Sequence, residues 1–131
     1  MITAVWRLVG ARLDVDGFLA RNGYLKPDLV WRKGEKARGG RVCLDSGANI
    51  LVAEHDDDEV VMKNAVKQLT RWKRALQEAR NEHALSVLDL AIYVGSAKQA
   101  TAQVAIDPQD MLRLARLGVG LTVSAYPVDE G

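Results

Sequence analysis

DDEVVMKNAVKQLTRWKRALQEARN, residues 57–81, is the stretch that decides the fold. On a wheel of about 100° per residue its apolar side chains form one stripe. The stripe consists of Val61, Met62, Ala65, Leu69, Trp72, Leu76 and Ala79. The opposite side carries four cations, Lys63, Lys67, Arg71 and Arg74. The pattern predicts one long helix over 57–81 that buries its apolar stripe and exposes its basic face.

Before and after this helix the sequence alternates with the period of a β-strand. LSVLDLAIYVG, residues 85–95, places an apolar side chain at every second position, and TAQVAID, residues 101–107, repeats the alternation. Further strands are predicted at 2–15, around 24–31 and at 120–128. Two β-rich runs flank Ser46-Gly47-Ala48-Asn49, which predicts a hairpin there.

Two shorter helices complete the predicted order β-α-β-β-β-α-β-β-α-β. Asp16 is suited to begin the first, which Gly23 ends. Asp107 and Pro108 are suited to begin the other, and Gly118 to end it. Strands that follow one another as hairpins form antiparallel sheets. We therefore predict an α+β fold in one domain, residues 1–131, with a mostly antiparallel sheet and about three helices packed on one face.

The composition and charge of the chain limit the classes of function that are expected. The 131 residues are 48% hydrophobic and 27% charged, and the net charge is +1. A general attraction to nucleic acid is therefore not expected, and electrostatic recognition must come from local patches. One cysteine excludes an internal disulfide and fits a reducing compartment. The apolar start, MITAVWRLVGARLDV, has no basic segment of a signal peptide and contains Arg7. We expect a cytoplasmic protein without a membrane segment.

An acidic run, EHDDDE at 54–59, lies at the start of the long helix. Carboxylates there complement the helix dipole and cap free amides. The same oxygens with His55 could hold a divalent cation, although the calcium-loop spacing is missing and we predict neither a metal nor a cofactor. The run could also contact a basic partner. Its candidate partner-binding residues are Glu54, Asp56, Asp57, Asp58 and Glu59.

A basic stretch, WRKGEKARGGR at 31–41, precedes the acidic run. It lacks G-x-x-x-x-G-K-[ST] and leads into a strand, so no helix N-terminus is expected to receive a phosphate. A mobile basic loop is the simpler interpretation. The alternative is a site for nucleic acid or a phosphate ligand that uses Arg32, Lys33, Lys36 and Arg38 with the basic face of helix 57–81. That face has no aromatic side chain for stacking bases.

Catalytic chemistry has little support in the sequence. Cys43 is expected to lie in a strand, where a lone cysteine is usually a small apolar group. His55 is predicted to lie across the hairpin from Cys43, so an enzyme built on these two residues and the acidic run remains an alternative. No Ser-His-Asp or paired-glutamate arrangement is visible, and we assign no catalytic residues.

The sheet face turned away from the helices is a further candidate. If the apolar positions of the strands face the helices, the other side is polar. It then shows Arg7, Asp89, Tyr93, Gln103, Thr122, Ser124 and Tyr126. Tyrosine and arginine are enriched at protein interfaces. We name Arg7, Asp89, Tyr93 and Tyr126 as candidate partner-binding residues. A solvated face and a homodimer interface are the alternatives.

Two short motifs resemble a bacterial family of domains of unknown function. The first, P-x-x-x-W-x-K-G, falls on Pro27, Trp31, Lys33 and Gly34. The second, a terminal helix followed by a strand, falls on Gly118, Leu121, Val123 and Tyr126. The resemblance covers roughly residues 5–127. It implies an α+β fold, and because some members lie beside polymorphic toxins it implies an immunity role. The family has no established catalytic residues to carry over.

Together these observations predict a small binding protein rather than an enzyme. The expected partner is a protein. The family resemblance implies that this partner is a toxin encoded nearby, which the chain would neutralise by occlusion. Charged patches would serve the rate and the specificity of that association. The nucleic-acid or phosphate binder is the first alternative, and the enzyme is the second.

Overall fold

The structure is a computed structural model that describes residues 1–94 and 103–128. Its strands are β1 (Ile2–Gly10), β2 (Pro27–Trp31), β3 (Ser46–His55), β4 (Leu85–Val94) and β5 (Val119–Pro127). Its helices are α1 (Val15–Arg21), α2 (Asp58–Arg71), α3 (Lys73–Asn81) and α4 (Pro108–Leu117). A 3₁₀ turn lies at Arg38–Gly40. The predicted α+β class is confirmed.

The strands form one sheet in the order β2-β3-β1-β4-β5. Three of the four pairings are antiparallel, as predicted, and β4 pairs with β5 in parallel. A parallel neighbour needs a crossover connection, and α4 lies in the segment that joins these two strands. The crossover brings β5 beside β4 in a register that opposes Asp89 to Thr122 and Tyr93 to Tyr126.

The core lies between one face of the sheet and the helices. In β1, Ala4, Trp6 and Leu8 are fully buried. The Trp6 ring lies 6.2 Å from the ring of Phe18 in α1 and 6.2 Å from that of Trp72. Alternate residues of each strand therefore serve the core, and the residues between them point to the face without helices. We call that second side the open face.

The predicted helix over 57–81 is two helices, because the backbone leaves helical geometry at Trp72 (φ −94°, ψ 18°). The amide of Trp72 is shared between carbonyls of the preceding turn, and α3 begins at the next residue. The predicted stripe is otherwise buried, with Trp72 half-buried at the junction.

The predicted hairpin at 46–49 is wrong, because β3 runs without interruption through these residues. Gly47 is buried in the strand, under the indole ring of Trp31 and close to the carbonyl of Leu8. A side chain there would collide with both groups. Glycine at this position therefore marks a close approach of β2 to β3 and not a turn.

The predicted strand over 101–107 is also wrong for residues 103–107, which have no strand structure, while 101 and 102 lie outside the described residues. Val104 and Ile106 do pack against the core as expected. Their backbone is fixed differently, since the amide of Ala105 donates to the Asp58 carboxylate at 2.7 Å. Gln103 is therefore not part of the sheet.

The helix ends follow the predicted chemistry with small shifts. Asp107 caps α4, Pro108 is its first residue and Gly118 ends it in the left-handed region (φ 74°). The cap of α1 is Asp14 and not Asp16, since β1 stops at Gly10. In α4 the apolar residues Met111 and Ala115 are exposed, whereas Asp110 and Leu114 are buried.

Candidate functional site

The open face brings together the four residues that the sequence predicts for it. Arg7 in β1 and Asp89 in β4 form an ion pair of 2.8 Å at the centre of the sheet. Tyr93 and Tyr126 lie farther along β4 and β5, as opposed residues of the parallel pair. Thr122 and Ser124 of β5 complete the predicted set beside Asp89.

Asp89 is a buried carboxylate on an uncovered face. Its side chain is 2% exposed, and it accepts hydrogen bonds from Thr122 Oγ1 at 2.9 Å and Ser124 Oγ at 2.8 Å. Together with the Arg7 guanidinium these donors satisfy the charge, as burial requires. Arg7 remains 46% exposed. Asp89 thus fixes the position of an arginine whose remaining N–H groups are open to a partner.

The two tyrosines form an aromatic pair at one end of the open face. Their ring centroids lie 5.9 Å apart with the planes inclined by 36°. Tyr93 is 48% and Tyr126 41% exposed. Paired rings on neighbouring strands have little freedom left to lose, so they present rigid contact area. This is the geometry of an anchor for a partner.

The acidic run meets this aromatic end. Asp57 caps α2 by accepting from the amides of Glu59 at 2.9 Å and Val60 at 3.2 Å, which confirms the predicted capping role. A cleft of about 270 Å³ is lined by Asp56, Asp57 and Asp58 together with Tyr93 and Gln103. Tyr93 therefore belongs both to the open face and to the lining of this cleft, which also includes Ile2 and Ile92 from the core side of the sheet.

Two members of the acidic run lie elsewhere. Glu54 lines a cleft beside Lys67 and Arg71, and Glu59 lines another beside Lys63. Glu59 is on the helical side, in α2, whereas Glu54 pairs with Thr3, a position on the same face of β1 as Arg7. The five predicted carboxylates divide into three near Tyr93 and two near cations of α2.

The stretch 31–41 begins a short hairpin that extends from the sheet. Lys36 pairs with Val42, and the amides of Gly34 and Cys43 donate to Cys43 and Glu35 at 2.9 and 2.8 Å. Gly39 and Gly40 form its tip with φ of 84° and 79°. These bonds close a short hairpin, and the mobility expected for the stretch stays a prediction. We call residues 32–43 the basic arm.

The guanidinium of Arg32, a candidate phosphate ligand, is paired with two carboxylates. Its guanidinium donates two bonds of 2.8 Å to Asp16 and one of 3.2 Å to Glu35. The hydrogen bond from Arg32 lowers the pKa of Asp16, and the two carboxylates raise the pKa of Arg32. This pairing ties the base of the arm to α1. Lys33, Lys36 and Arg38 stay exposed.

The structure does not place the residues of the enzyme hypothesis close together. Cys43 lies in the basic arm before β3 and not in a strand as expected, whereas His55 is the last residue of β3, whose ten residues alone span about 30 Å at the usual rise of a strand. Without a hairpin at 46–49 the strand does not bring the two residues together. His55 Nδ1 accepts from the amide of Asp57 at 2.9 Å. Within residues 1–94 and 103–128, no three His, Cys, Asp or Glu side chains are grouped to hold a metal ion.

Sequence reasoning missed three exposed leucines on the open face. Leu29, Leu51 and Leu85 lie on β2, β3 and β4, in register with or beside residues of the predicted face. For Leu85 the sequence does contain the indication, because Leu85 lies two positions before Val87 and four before Asp89 and therefore on the same face of the strand. For Leu51 the alternation of the strand is not visible in the sequence analysis, because the predicted turn at 46–49 falls on the start of β3.

The chain was compared with family models, curated proteins and solved structures, and nothing matches it in any of the three. The resemblance to a family of domains of unknown function therefore remains a hypothesis. In the part of the chain that the structure describes, no helix is long and apolar enough to cross a membrane.

Proposed function

We propose that this chain is a protein-binding protein that holds its partner on the open face and the adjoining acidic cleft. The observation that carries the proposal is the continuity of three features across one surface. These are the fixed Arg7, the Tyr93–Tyr126 pair and the carboxylates of Asp56 and Asp57. A solvated sheet face needs none of the three.

The composition of the open face fits an interface. Exposed leucines and tyrosines surround a central polar group, and large exposed apolar side chains clustered on one surface are typical of binding sites. Aromatic residues and arginine contribute most of the binding free energy at protein interfaces. The charge pair at the centre is already satisfied, so covering it leaves no unpaired carboxylate.

The size of the surface is also adequate. Five strands spaced about 4.8 Å apart, with nine or ten residues in the longer ones, give a face of about 600–700 Å². Stable interfaces bury about 800 Å² on each partner. The open face is therefore slightly too small alone and large enough with the acidic cleft. The partner is expected to extend over both.

The charge of the cleft specifies the partner further. Asp56 pairs with the Met1 ammonium at 3.2 Å, so the three carboxylates leave the rim with a reduced but negative charge, which favours a partner with a basic patch. Such a rim raises the association rate more than the affinity. We propose a toxin encoded nearby as that partner, on the strength of the family resemblance. Neutralisation by occlusion requires an interface and no catalytic group, which agrees with the separation of Cys43 from His55.

Binding kinetics against the product of the neighbouring gene test the proposal. Tyr126→Ala should cost about 2 kcal/mol or more of binding free energy, mainly through faster dissociation. Tyr24→Ala is the matched control, since Tyr24 is equally exposed on the segment between α1 and β2. Asp56→Lys should slow association and weaken its salt dependence, whereas Asp28→Lys, the same change on β2, should not.

Different experimental results would contradict different parts of the proposed function. Equal kinetics for Tyr126→Ala and Tyr24→Ala would move the site away from the open face. No binding of any neighbouring product at micromolar concentration would remove the immunity role. Sedimentation of the protein alone distinguishes the homodimer, because a dimer that Tyr126→Ala converts to a monomer would make a second copy the occupant of this face.

A further inference from the structure

The sheet has two edge strands, β2 and β5, and they differ in the features that keep an edge from pairing with another chain. Natural edges are blunted by short length, proline, charge and irregular register. β2 has all four, since it is five residues long, begins at Pro27, carries Asp28 and shifts register between Pro27 and Leu29. Lys26 and Arg32 flank it. β2 is therefore a protected edge.

β5 has none of these features before its last residue. Its sequence from 119 to 127 is VGLTVSAYP, without a charged side chain. It pairs with β4 through nine consecutive positions and no register shift. Among the described residues, β4 is the only strand beside it, so the other side of β5 is an unpaired edge there. A long, regular and uncharged edge of this kind is a template for a further strand.

The direction of the β5 backbone groups identifies those that point away from β4. The amide of Val128 donates to the carbonyl of Val94 at 2.9 Å, so Val128 points toward β4. Backbone groups of successive residues alternate in direction along a strand. Pro127 therefore points outward, where its missing N–H removes no bond of the ladder, as is usual for proline in an edge strand. Three further residues direct both N–H and C=O outward, namely Leu121, Val123 and Ala125.

The second half of this edge is apolar and uncovered on the core face. Val123 and Ala125 are in register with Leu90 and Ile92, which are buried. Even so, Val123 is 48% exposed, and Ala125 is exposed as well. The helices of the chain therefore leave apolar side chains of β5 in contact with water.

α4 contributes further apolar surface above the same edge. It packs on β5, and its Asp110 lies 3.7 Å from Lys63 of α2, which itself packs on β3 and β1. The flank of α4 opposite to this contact therefore faces the outer edge of the sheet. At about 100° per residue that flank carries Met111, Leu112 and Ala115, all of them exposed.

We propose that β5 pairs antiparallel with β5 of a second copy of this chain and so joins the two sheets into one. A two-fold axis perpendicular to the sheet brings two identical edges together in this way. A charge near the centre of the strand would then oppose a like charge, which destabilises a strand pair. β5 carries no charge, and the whole chain carries only +1. A single strand from another protein would satisfy the backbone of β5 but would bury less of the α4 flank.

The size of the edge predicts a weak dimer. Nine residues at about 3.3 Å each give a length of about 30 Å, and a sheet with one layer of helices is about 20 Å thick. The contact thus buries about 600 Å² on each copy, or about 1,200 Å² in total, which is the lower limit for stable interfaces. We therefore expect a dissociation constant in the micromolar range.

Sedimentation equilibrium between about 5 and 200 μM protein tests the proposal. We expect an equilibrium between the chain of 14.4 kDa and a species of twice that mass. Ala125→Lys places a charge near its own counterpart and should weaken the dimer at least about tenfold. Val123→Pro removes an outward N–H and should do the same, while an edge strand tolerates proline at such a position. Native circular dichroism is required of both variants.

Amide hydrogen exchange measured by NMR locates the contact. The outward amides of Leu121 and Val123 should exchange at least about tenfold more slowly in the wild type than in Ala125→Lys at the same high concentration. The amides of Thr122 and Ser124 point toward β4 and are the internal control. Their exchange should differ less than about threefold between the two proteins.

Leu29→Lys is the matched control, since it places the same charge on an exposed side chain of the other edge strand. It should leave the dimer unchanged. A monomer at about 200 μM would overturn the proposal, and so would a dimer that Ala125→Lys and Val123→Pro leave intact. Dissociation by Leu29→Lys or Tyr126→Ala, without an effect of Ala125→Lys, would assign the contact to the open face instead.

Slow exchange of the outward amides in a monomer would also overturn the proposal, because the edge would then be covered within the chain. The proposed function is tested separately from this dimer. Val123 and Ala125 lie on the core face of β5, so their substitution changes no side chain of the open face.

Discussion

The two faces of the sheet are built from the same strands, and they satisfy different physical requirements. In β1, Ala4, Trp6 and Leu8 are completely buried under helices, whereas Arg7 between them is 46% exposed. In β4, Leu88 and Leu90 enter the core, and Asp89 between them binds Arg7. The covered face is held by apolar burial and the open face by a polar network.

The difference shows how a small protein can present a recognition surface without weakening its core. Successive side chains of a strand point to opposite faces, so the open face can change while the buried positions stay the same. The cost of a substitution should therefore alternate along β1 and β4. Each prediction below tests that contrast.

The largest effect should come from the aromatic centre of the covered face. Trp6 is fully buried against Phe18 and Trp72, so Trp6→Ala should destabilise the fold by about 3–5 kcal/mol in urea unfolding. Trp31 lies half-buried on the open face over Gly47, and Trp31→Ala should cost about 1–2 kcal/mol. Equal costs would mean that the open face is covered in solution, for example by a second copy.

The polar centre of the open face should rank second. Asp89→Ala removes the acceptor of two hydroxyls and of Arg7, and hydrogen bonds to a charged group contribute about 1.5–3 kcal/mol. We expect a loss of about 2–3 kcal/mol in the same unfolding assay. Asp28→Ala, at an exposed position of β2, should stay within about 0.5 kcal/mol. A loss below about 1 kcal/mol for Asp89→Ala would make the network a functional feature only.

The covered face was more predictable from the sequence than the open one. Period-two and helical patterns record burial directly, so Leu88, Leu90, Leu69 and Leu76 could be placed without the structure. Glycine has two meanings, turn and close approach, and at Gly47 the second applies. Nothing in the local sequence distinguishes them, because the partner, Trp31, lies on another strand.

The candidate site was predictable in membership and not in arrangement. Alternation places Arg7 and Asp89 on the same face, but their contact depends on the pairing of β1 with β4. The tyrosine pair depends on the parallel register of β4 and β5, which a crossover through α4 sets. Asp110 is a charged residue at an apolar position of α4, where pairing with Lys63 and Arg113 overrides the usual pattern.

The acidic run contains structural and recognition carboxylates side by side, and substitutions at Asp57 and Asp56 distinguish the two roles. Asp57 caps α2, so Asp57→Ala should lower the free energy of unfolding by about 1 kcal/mol. Asp57→Asn should recover most of that loss, since asparagine caps equally well. Asp56→Ala should change it by less than about 0.5 kcal/mol. If Asp56→Ala were as costly as Asp57→Ala, the run would act as a unit, for instance around a bound cation.

The smallest effect should come from the edge of the covered face, where α1 contacts α3. Glu78 accepts from Asn22 Nδ2 at 2.7 Å and pairs with Arg21. The hydrogen bond from Asn22, followed by the hydrogen bond and the charge of Arg21, lowers the pKa of Glu78. A carboxylate whose pKa is lowered on folding stabilises the protein at pH values above the ordinary pKa of that group, which is 4.5 for Glu78. That contribution is lost as the pH falls through the lowered pKa.

Glu78→Gln should therefore be less stable than the wild type at neutral pH, with a difference that stays constant down to about pH 5 and shrinks below it. Arg21→Gln should keep part of this pH dependence, because the Asn22 bond, the largest single cause, remains. Urea unfolding between pH 3 and 7 provides the measurement. If Arg21→Gln abolished the dependence, the ion pair would dominate instead, and 0.5 M salt should then remove it from the wild type as well, since exposed pairs are screened.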